Sequence, residues 1–214
     1  MTAAPGTIVV RGSGQQPRFA LSFDDGPGPC TSELIAVLGR SGLKATFFLV
    51  GSQVERHPEL AARLRDAGHE LGLHSMAHRD HAQIPPAEAV EDVVAGADAI
   101  GRLIGVDVEL FRAPYGHFVP ATLAEAERRG WSCVMWSAWG EDWRDDRTAE
   151  KIAAQIVADL RPGAIVPLHD SRREQQVECA RMLRALELVL DEAGRRGLSP
   201  VTVGELLESP AGPS

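Results

Sequence analysis

An apolar, strand-like run at residues 18–23 ends in two adjacent carboxylates, Asp24 and Asp25, followed by a Gly26-Pro27 turn. Buried charge is costly unless it has a partner, and a cation is the simplest partner. The sequence holds one His-x-x-x-His pair, His74 with His78. Helical turn or loop, residues 74–78 bring two imidazoles together, but they lack the Glu that a His-Glu-x-x-His helix uses as its base. Neighbouring strand residues point to opposite faces, so one carboxylate can ligate an ion while the other stands beside a water. Asp25 is available as a third ligand and Asp24 as the base. One carboxylate and two imidazoles leave a coordination position open, which marks a catalytic rather than a structural zinc-type site. Taken singly the pieces have plainer readings: Asp-Asp-Gly-Pro is a strand-ending turn, and a histidine pair at this spacing is often incidental.

Three further polar residues, Arg112, Asp142 and His169, fall at or just past the ends of strand-like segments. These segments are 18–24, 44–50, 70–74, 109–113, 131–137, 163–169 and 199–203, and between them 31–41, 58–67, 86–104, 120–129, 147–160 and 175–196 have helical composition. Pro58 and Pro120 suit first-turn positions, and Gly42, Gly68, Gly130 and Gly197 suit helix ends. Alternating strands and helices are the pattern of βα repeats, and the count of seven strands fits an α/β fold, a parallel barrel of βα units lacking one unit or closing imperfectly. In such barrels the strands aim their C-terminal residues at one common mouth. The apolar stripe Met182, Leu183, Leu186, Val189 and Leu190 is explained by core packing.

The 214 residues, 44% hydrophobic, suffice for one well-buried domain. Residues 1–17 are expected as an N-terminal extension with a possible lead-in strand, 18–207 as the catalytic domain and 208–214 as a flexible tail. A net charge of -8 argues against nucleic acid or an anionic membrane as a partner. Cys30, Cys133 and Cys179 are odd in number and widely spaced, so neither a disulfide framework nor a thiolate zinc site is expected. There is no basic segment followed by an apolar stretch at the N-terminus and no run long enough to cross a bilayer. As written, the chain is expected in the cytoplasm, or outside the cell if it is a trimmed form.

The motifs Ser22-Phe23-Asp24-Asp25-Gly26-Pro27, His74-Ser75-Met76-Ala77-His78, Arg112-Ala113-Pro114-Tyr115-Gly116, Asp142-Trp143 and Leu168-His169-Asp170 resemble, in order and approximate spacing, those of the polysaccharide deacetylases, the NodB-homology domain of carbohydrate esterase family four. The likeness runs from about residue 18 to residue 207. It implies a distorted parallel (β/α) barrel of seven or eight units and metal-dependent hydrolysis of an acetamide on an N-acetylated glycan or small N-acetyl sugar. Asp25, His74 and His78 would hold the metal, zinc first and cobalt or another divalent ion next. Asp24 would be the general base and His169 the acid that protonates the leaving amine. Arg112 would pair with Asp24, Asp142 would orient and charge-stabilise His169, and the backbone N–H of Tyr115 would help hold the oxyanion.

The chain departs from the family where many relatives carry a first Asp three residues before the Asp-Trp pair, having Trp139, and where they place Leu two residues before the catalytic His, having Pro167. Leu73 precedes His74 where relatives often have Asn. Proline lacks an N–H, so its strand is expected to be irregular or at an edge. Trp139 and Trp143 suit stacking on a sugar ring or burial in the core. His57, His69 and His81 have no motif role, while His117 lies close enough to Tyr115 to line the cleft. Alternatives are a biosynthetic deacylase of a small N-acylated sugar and a catalytically silent glycan-binding module; the latter would be expected to have lost either Asp24 or His169.

Overall fold

The run at Arg18–Asp24 is buried at every position after the first, and it forms the strand β2 around which the sheet is built. In a computed structural model, residues 6–171 and 179–208 are described. The elements in chain order are β1 (Ile8–Val9), β2 (Arg18–Asp24), α1 (Thr31–Arg40), β3 (Thr46–Leu49), α2 (Gly51–Arg56), α3 (Pro58–Asp66), β4 (Glu70–Leu73), α4 (Pro86–Ile104), β5 (Leu110–Phe111), α5 (Pro120–Arg129), β6 (Ser132–Val134), α6 (Ala149–Asp159), β7 (Ile165–His169), α7 (Cys179–Arg195), β8 (Ser199–Val201) and α8 (Val203–Leu207). All strand pairings are parallel, in the order β1-β6-β5-β4-β3-β2-β7, with β8 added to β2. The chain past β6 returns to the far edge, where the Ser137 and Ala138 amides donate to the Ile165 carbonyl of β7. The sheet thus curls into a distorted (β/α) barrel.

Alternation along β2 sorts its side chains between two apolar layers. Phe19, Leu21 and Phe23 pack in the large cluster shared with the helices. Ala20 joins Phe48, Leu110, Val134 and Ile165 in a second cluster, which Val203 and Leu206 of α8 complete. At the beginnings of β3 and β4, Thr46 Oγ1 accepts from the Val203 amide at 2.7 Å and the Glu70 carboxylate from the Gly204 amide at 3.0 Å. α8 therefore closes the end where strands start, and the opposite end is left for chemistry. The stripe of α7 is core: Met182, Leu186 and Val189 are buried, and Leu183 and Leu190 pack against them.

Several expectations are revised. Cys30 and Cys179, 149 residues apart, form a disulfide, because the fold brings the start of α1 beside the start of α7; only Cys133 is free, and it is buried. The helix expected at 175–196 is described from Cys179 to Arg195, residues 175–178 lying outside the described residues. Of the two expectations for the strand of Pro167 the edge position holds: the strand is regular, with β7 in register with β2 from Ile165 to His169. That strand is an edge of the sheet path, so the missing N–H breaks no ladder bond. Two short helices, α2 and α8, are additional to those expected. Residues 8–9 form a lead-in strand against β6. Among the described residues no helix is long and apolar enough to cross a membrane.

Candidate active site

The chemistry-bearing side chains converge on the C-terminal end of the strands. Asp24 is the last residue of β2, and Asp25 follows it with φ 75°, a left-handed backbone. That turn, rather than strand alternation, is what aims the two carboxylates apart. His74 follows β4, and the segment to His78 is a loop, with left-handed backbone at Ser75 (φ 67°) and His78 (φ 52°). Tyr115 (φ 58°) and Glu141 (φ 54°) complete the non-glycine residues of this kind among those described. Each such position costs about 1–3 kcal/mol and persists only where its surroundings over-determine it. All five are within one residue of a candidate site residue or are one.

Ligand atoms of Asp25, His74 and His78 lie within 4.8 Å of one another. Asp25 Oδ1 is 3.5 Å from His74 Nε2 and 3.0 Å from His78 Nε2, yet it is buried without a well-formed hydrogen bond. A sealed carboxylate oxygen facing two imidazole nitrogens is what a divalent cation would satisfy, and the donor set fits such an ion. His74 Nδ1 lies 2.7 Å from the Arg112 carbonyl, which can only accept, so the proton is on Nδ1 and the Nε2 lone pair is free to ligate. Burial pushes the His74 imidazole down to about 4, against the charge of Asp24, so it is neutral at pH 7. Burial alone would raise the Asp25 carboxyl, but the neighbouring imidazoles of His78, His169 and His74 hold it well below the usual carboxylate range.

Arg112 is fully buried over the Phe48 ring, 4.0 Å from its centroid. Its Nη1 donates to Asp24 Oδ1 at 2.6 Å and to Ser22 Oγ at 2.9 Å, while Nε and Nη2 donate to the Val134 and Met135 carbonyls. Oδ2 is thus the Asp24 oxygen left to the cleft. Asp142, in the connection between β6 and α6, accepts on Oδ2 from the amide of His169 at the end of β7 and on Oδ1 from its Nδ1, both at 2.8 Å. The ring is thereby locked with Nε2 toward the cleft. Burial would push the His169 imidazole down, but the charge and hydrogen bond of Asp142, with Asp25 and Asp24 behind them, raise it to about 10.

Asp24, Asp25, His74, His78 and His169 line one cleft of about 880 Å³, while Arg112 and Asp142 stand behind its wall. Trp136, Trp139 and Trp143 form one wall, with successive ring centroids 5.9 and 5.2 Å apart and Trp143 edge-on to His169. Trp139 and Trp143 are half-buried in that wall and not part of the core. Pro167 and Tyr115 also line the cleft. His117 does not line it as expected: its Nδ1 pairs with Asp80 Oδ1 at 2.8 Å. Sequence reasoning missed Ser52, Gln53 and Arg56 of α2, which face the cleft, and Trp136. The Gly-Ser-Gln-Val-Glu-Arg stretch lacks a strong capping or periodic signal over its six residues, so only the fold exposes its role.

The chain is similar to proteins of one family. The polysaccharide deacetylase family matches residues 11–134. A chitooligosaccharide deacetylase of Bradyrhizobium sp. (strain ANU 289) is 35% identical over 186 residues, covering 83% of this chain and 84% of the relative. A peptidoglycan N-acetylglucosamine deacetylase, solved in complex with 4-naphthalen-1-yl-N-oxidanyl-benzamide, superposes with TM-score 0.86 at 25% identity over 94% of this chain and 92% of that one. A pseudoenzyme of carbohydrate esterase family four from Bacillus anthracis shares the fold, with TM-score 0.85 at 22% identity over 95% of this chain and 69% of that one.

Proposed function

We propose that this chain, which belongs to the polysaccharide deacetylase family, is a metal-dependent hydrolase that removes the N-acetyl group from an N-acetylhexosamine unit of a peptidoglycan- or chitin-type glycan and releases acetate. The observation that carries this reading is the Asp25, His74 and His78 cluster lying in one cleft with an arginine-paired carboxylate and an aspartate-paired imidazole. A divalent cation, zinc first for this oxygen and nitrogen donor set, would supply Lewis acidity to the water and the acetyl carbonyl. Asp24, held by Arg112, accepts the proton from the attacking water through Oδ2. As the C–N bond breaks, the His169 imidazolium gives its Nε2 proton to the departing nitrogen. Tyr115 supplies a backbone donor for the developing oxyanion. The tryptophan wall offers flat apolar faces to pyranose rings, and Pro167 bounds the space for the acetyl methyl.

Catalytic silence is disfavoured because both the base and the acid are present with their partners in place. The Cys30–Cys179 disulfide supports an oxidising compartment, outside the cytoplasm, as the place of work. Thiol titration of unreduced, denatured protein isolated from its native compartment would then find only Cys133.

The test is acetate release from peptidoglycan, chitin oligosaccharides and small N-acetyl sugars by purified protein. Activity on at least one glycan should disappear on chelation and return with zinc or cobalt. Folded, metal-loaded protein that frees no amine from any of these substrates would overturn the reading.

A further inference from the structure

Two buried groups that the chemistry above does not use, Asp92 of α4 and His81, stand behind the loop that carries both imidazoles. Asp92 and His81 are 7% and 1% exposed, and His81 Nε2 lies 3.1 Å from Asp92 Oδ2. The same carboxylate accepts the Ala77 amide on Oδ1 at 2.9 Å and a hydrogen bond from Ser75. Ser75 Oγ in turn accepts the His78 amide at 3.0 Å, and the Asp92 carbonyl accepts the Met76 amide at 2.9 Å. Every peptide N–H from Met76 to His78 is thus bound by Asp92 or by a side chain that Asp92 holds.

The two imidazoles are not supported alike. His74 is oriented through Nδ1 by the Arg112 carbonyl, the usual device for aiming a ligating ring. His78 Nδ1 is buried with no hydrogen-bond partner among the described residues. With no hydrogen bond on Nδ1, its aim at Asp25 comes from the edge-on His74 and Tyr115 rings, each 4.9 Å away, and from its backbone, which is left-handed at His78 and at Ser75. Opposite Asp92, the Gly51 and Ser52 amides donate to the Ser75 and Met76 carbonyls. α4 passes so close that a Cβ on Gly96 would meet the Ser75 carbonyl carbon at 2.6 Å. The loop is pinned from both sides, and Asp92 is the side chain that binds it, with His81 satisfying its remaining oxygen.

We propose that Asp92, braced by His81, is a positioning residue for the cation: it holds the His74–His78 loop in the strained backbone that brings His78 Nε2 to Asp25. The inference rests on the metal-site reading above. Partners of this kind typically change metal affinity about 10–100-fold when removed.

The experiment is titration of cobalt(II) into metal-stripped protein, read by visible absorption, which reports affinity and ligand geometry together. Asp92→Ala should bind cobalt about tenfold or more weakly, with an altered spectrum. Asp92→Asn, whose amide oxygen still accepts the Ala77 N–H, should recover most of the affinity, and His81→Ala should fall between. Ile156→Ala, in the core of α6, should lower the melting temperature without changing cobalt binding. Wild-type affinity and spectrum in folded Asp92→Ala would overturn the proposal, as would equal weakening by Ile156→Ala. If Asp92→Ala does not fold, unchanged binding in both Asp92→Asn and His81→Ala overturns it. Wild-type protein that binds no cobalt removes the metal site itself; wild-type protein that binds, with variants that match it, removes only the positioning role.

Discussion

Asp24 and His169 are register partners on adjacent parallel strands, β2 and β7. Register partners project from the same face of a sheet, so the proposed base and the proposed acid stand side by side. Their chemistry is separated by what each is tied to: Arg112 for Asp24 at 2.6 Å and Asp142 for His169 at 2.8 Å. Giving each of two neighbouring groups its own counter-charge is how one site can divide acid and base steps between them.

Separate roles for the two adjacent carboxylates make a direct prediction. Asp24→Asn should retain bound metal and lose about 10²–10⁴-fold in kcat, whereas His74→Ala and His78→Ala lose metal and turnover together. Arg112→Gln leaves Asp24 without its fully buried partner and should cost about 3–5 kcal/mol in denaturant unfolding. Metal analysis beside acetate release separates these outcomes. Equal metal loss in Asp24→Asn and the histidine variants would undo the division of labour.

The His169–Asp142 pair predicts a pH dependence of known sign. Held up to about 10, the imidazolium stays protonated through neutral pH and can donate to an amine. Because its folded value is above the unfolded value of about 6.5, the stability this pair contributes is fully present below about pH 6.5. It is lost as pH rises through 10. Asp142→Asn can accept only one of the two hydrogen bonds from His169 and lacks the charge. Its alkaline limit of kcat should therefore lie at lower pH, and the histidine resonance of metal-free protein should titrate at lower pH. An unchanged titration would mean that Asp142 is not the group that raises it.

The sequence made the site residues more legible than the contacts that hold them. Asp24, Asp25, His74 and His169 stand at strand ends, where an apolar run stops at a polar residue, and that signal is local. Arg112 to Asp24 spans 88 residues and Asp142 to His169 spans 27; these pairings depend on which strands are neighbours, which periodicity does not encode. The disulfide was illegible for the same reason, since spacing rules detect nearby cysteines. α2 was missed because it is six residues long, too short for a helical period to repeat. His81 has no motif signature, and its meaning appears only when α4 brings Asp92 against it.

Asp170 offers a test of burial against charge. It is fully buried beneath the Asp25–Gly28 turn, where a Cβ on Gly26 would meet its carboxyl oxygens at 2.4 Å. Thr31 donates to Oδ2, while Oδ1 has no hydrogen-bond partner among the described residues. Burial, followed by the charges of Asp25 and Asp24, pushes the carboxyl up to about 7 despite the Thr31 bond. A raised carboxyl binds more protons folded than unfolded, so stability falls as pH rises from about 4 through 7. Asp170→Asn keeps the shape, can accept from Thr31 and cannot ionise. In metal-free protein it should raise the melting temperature at pH 8 by about 2–4 °C for each kcal/mol relieved and change it little at pH 4. A variant less stable than wild type at pH 8 would show that the ionised carboxylate is satisfied in the folded chain.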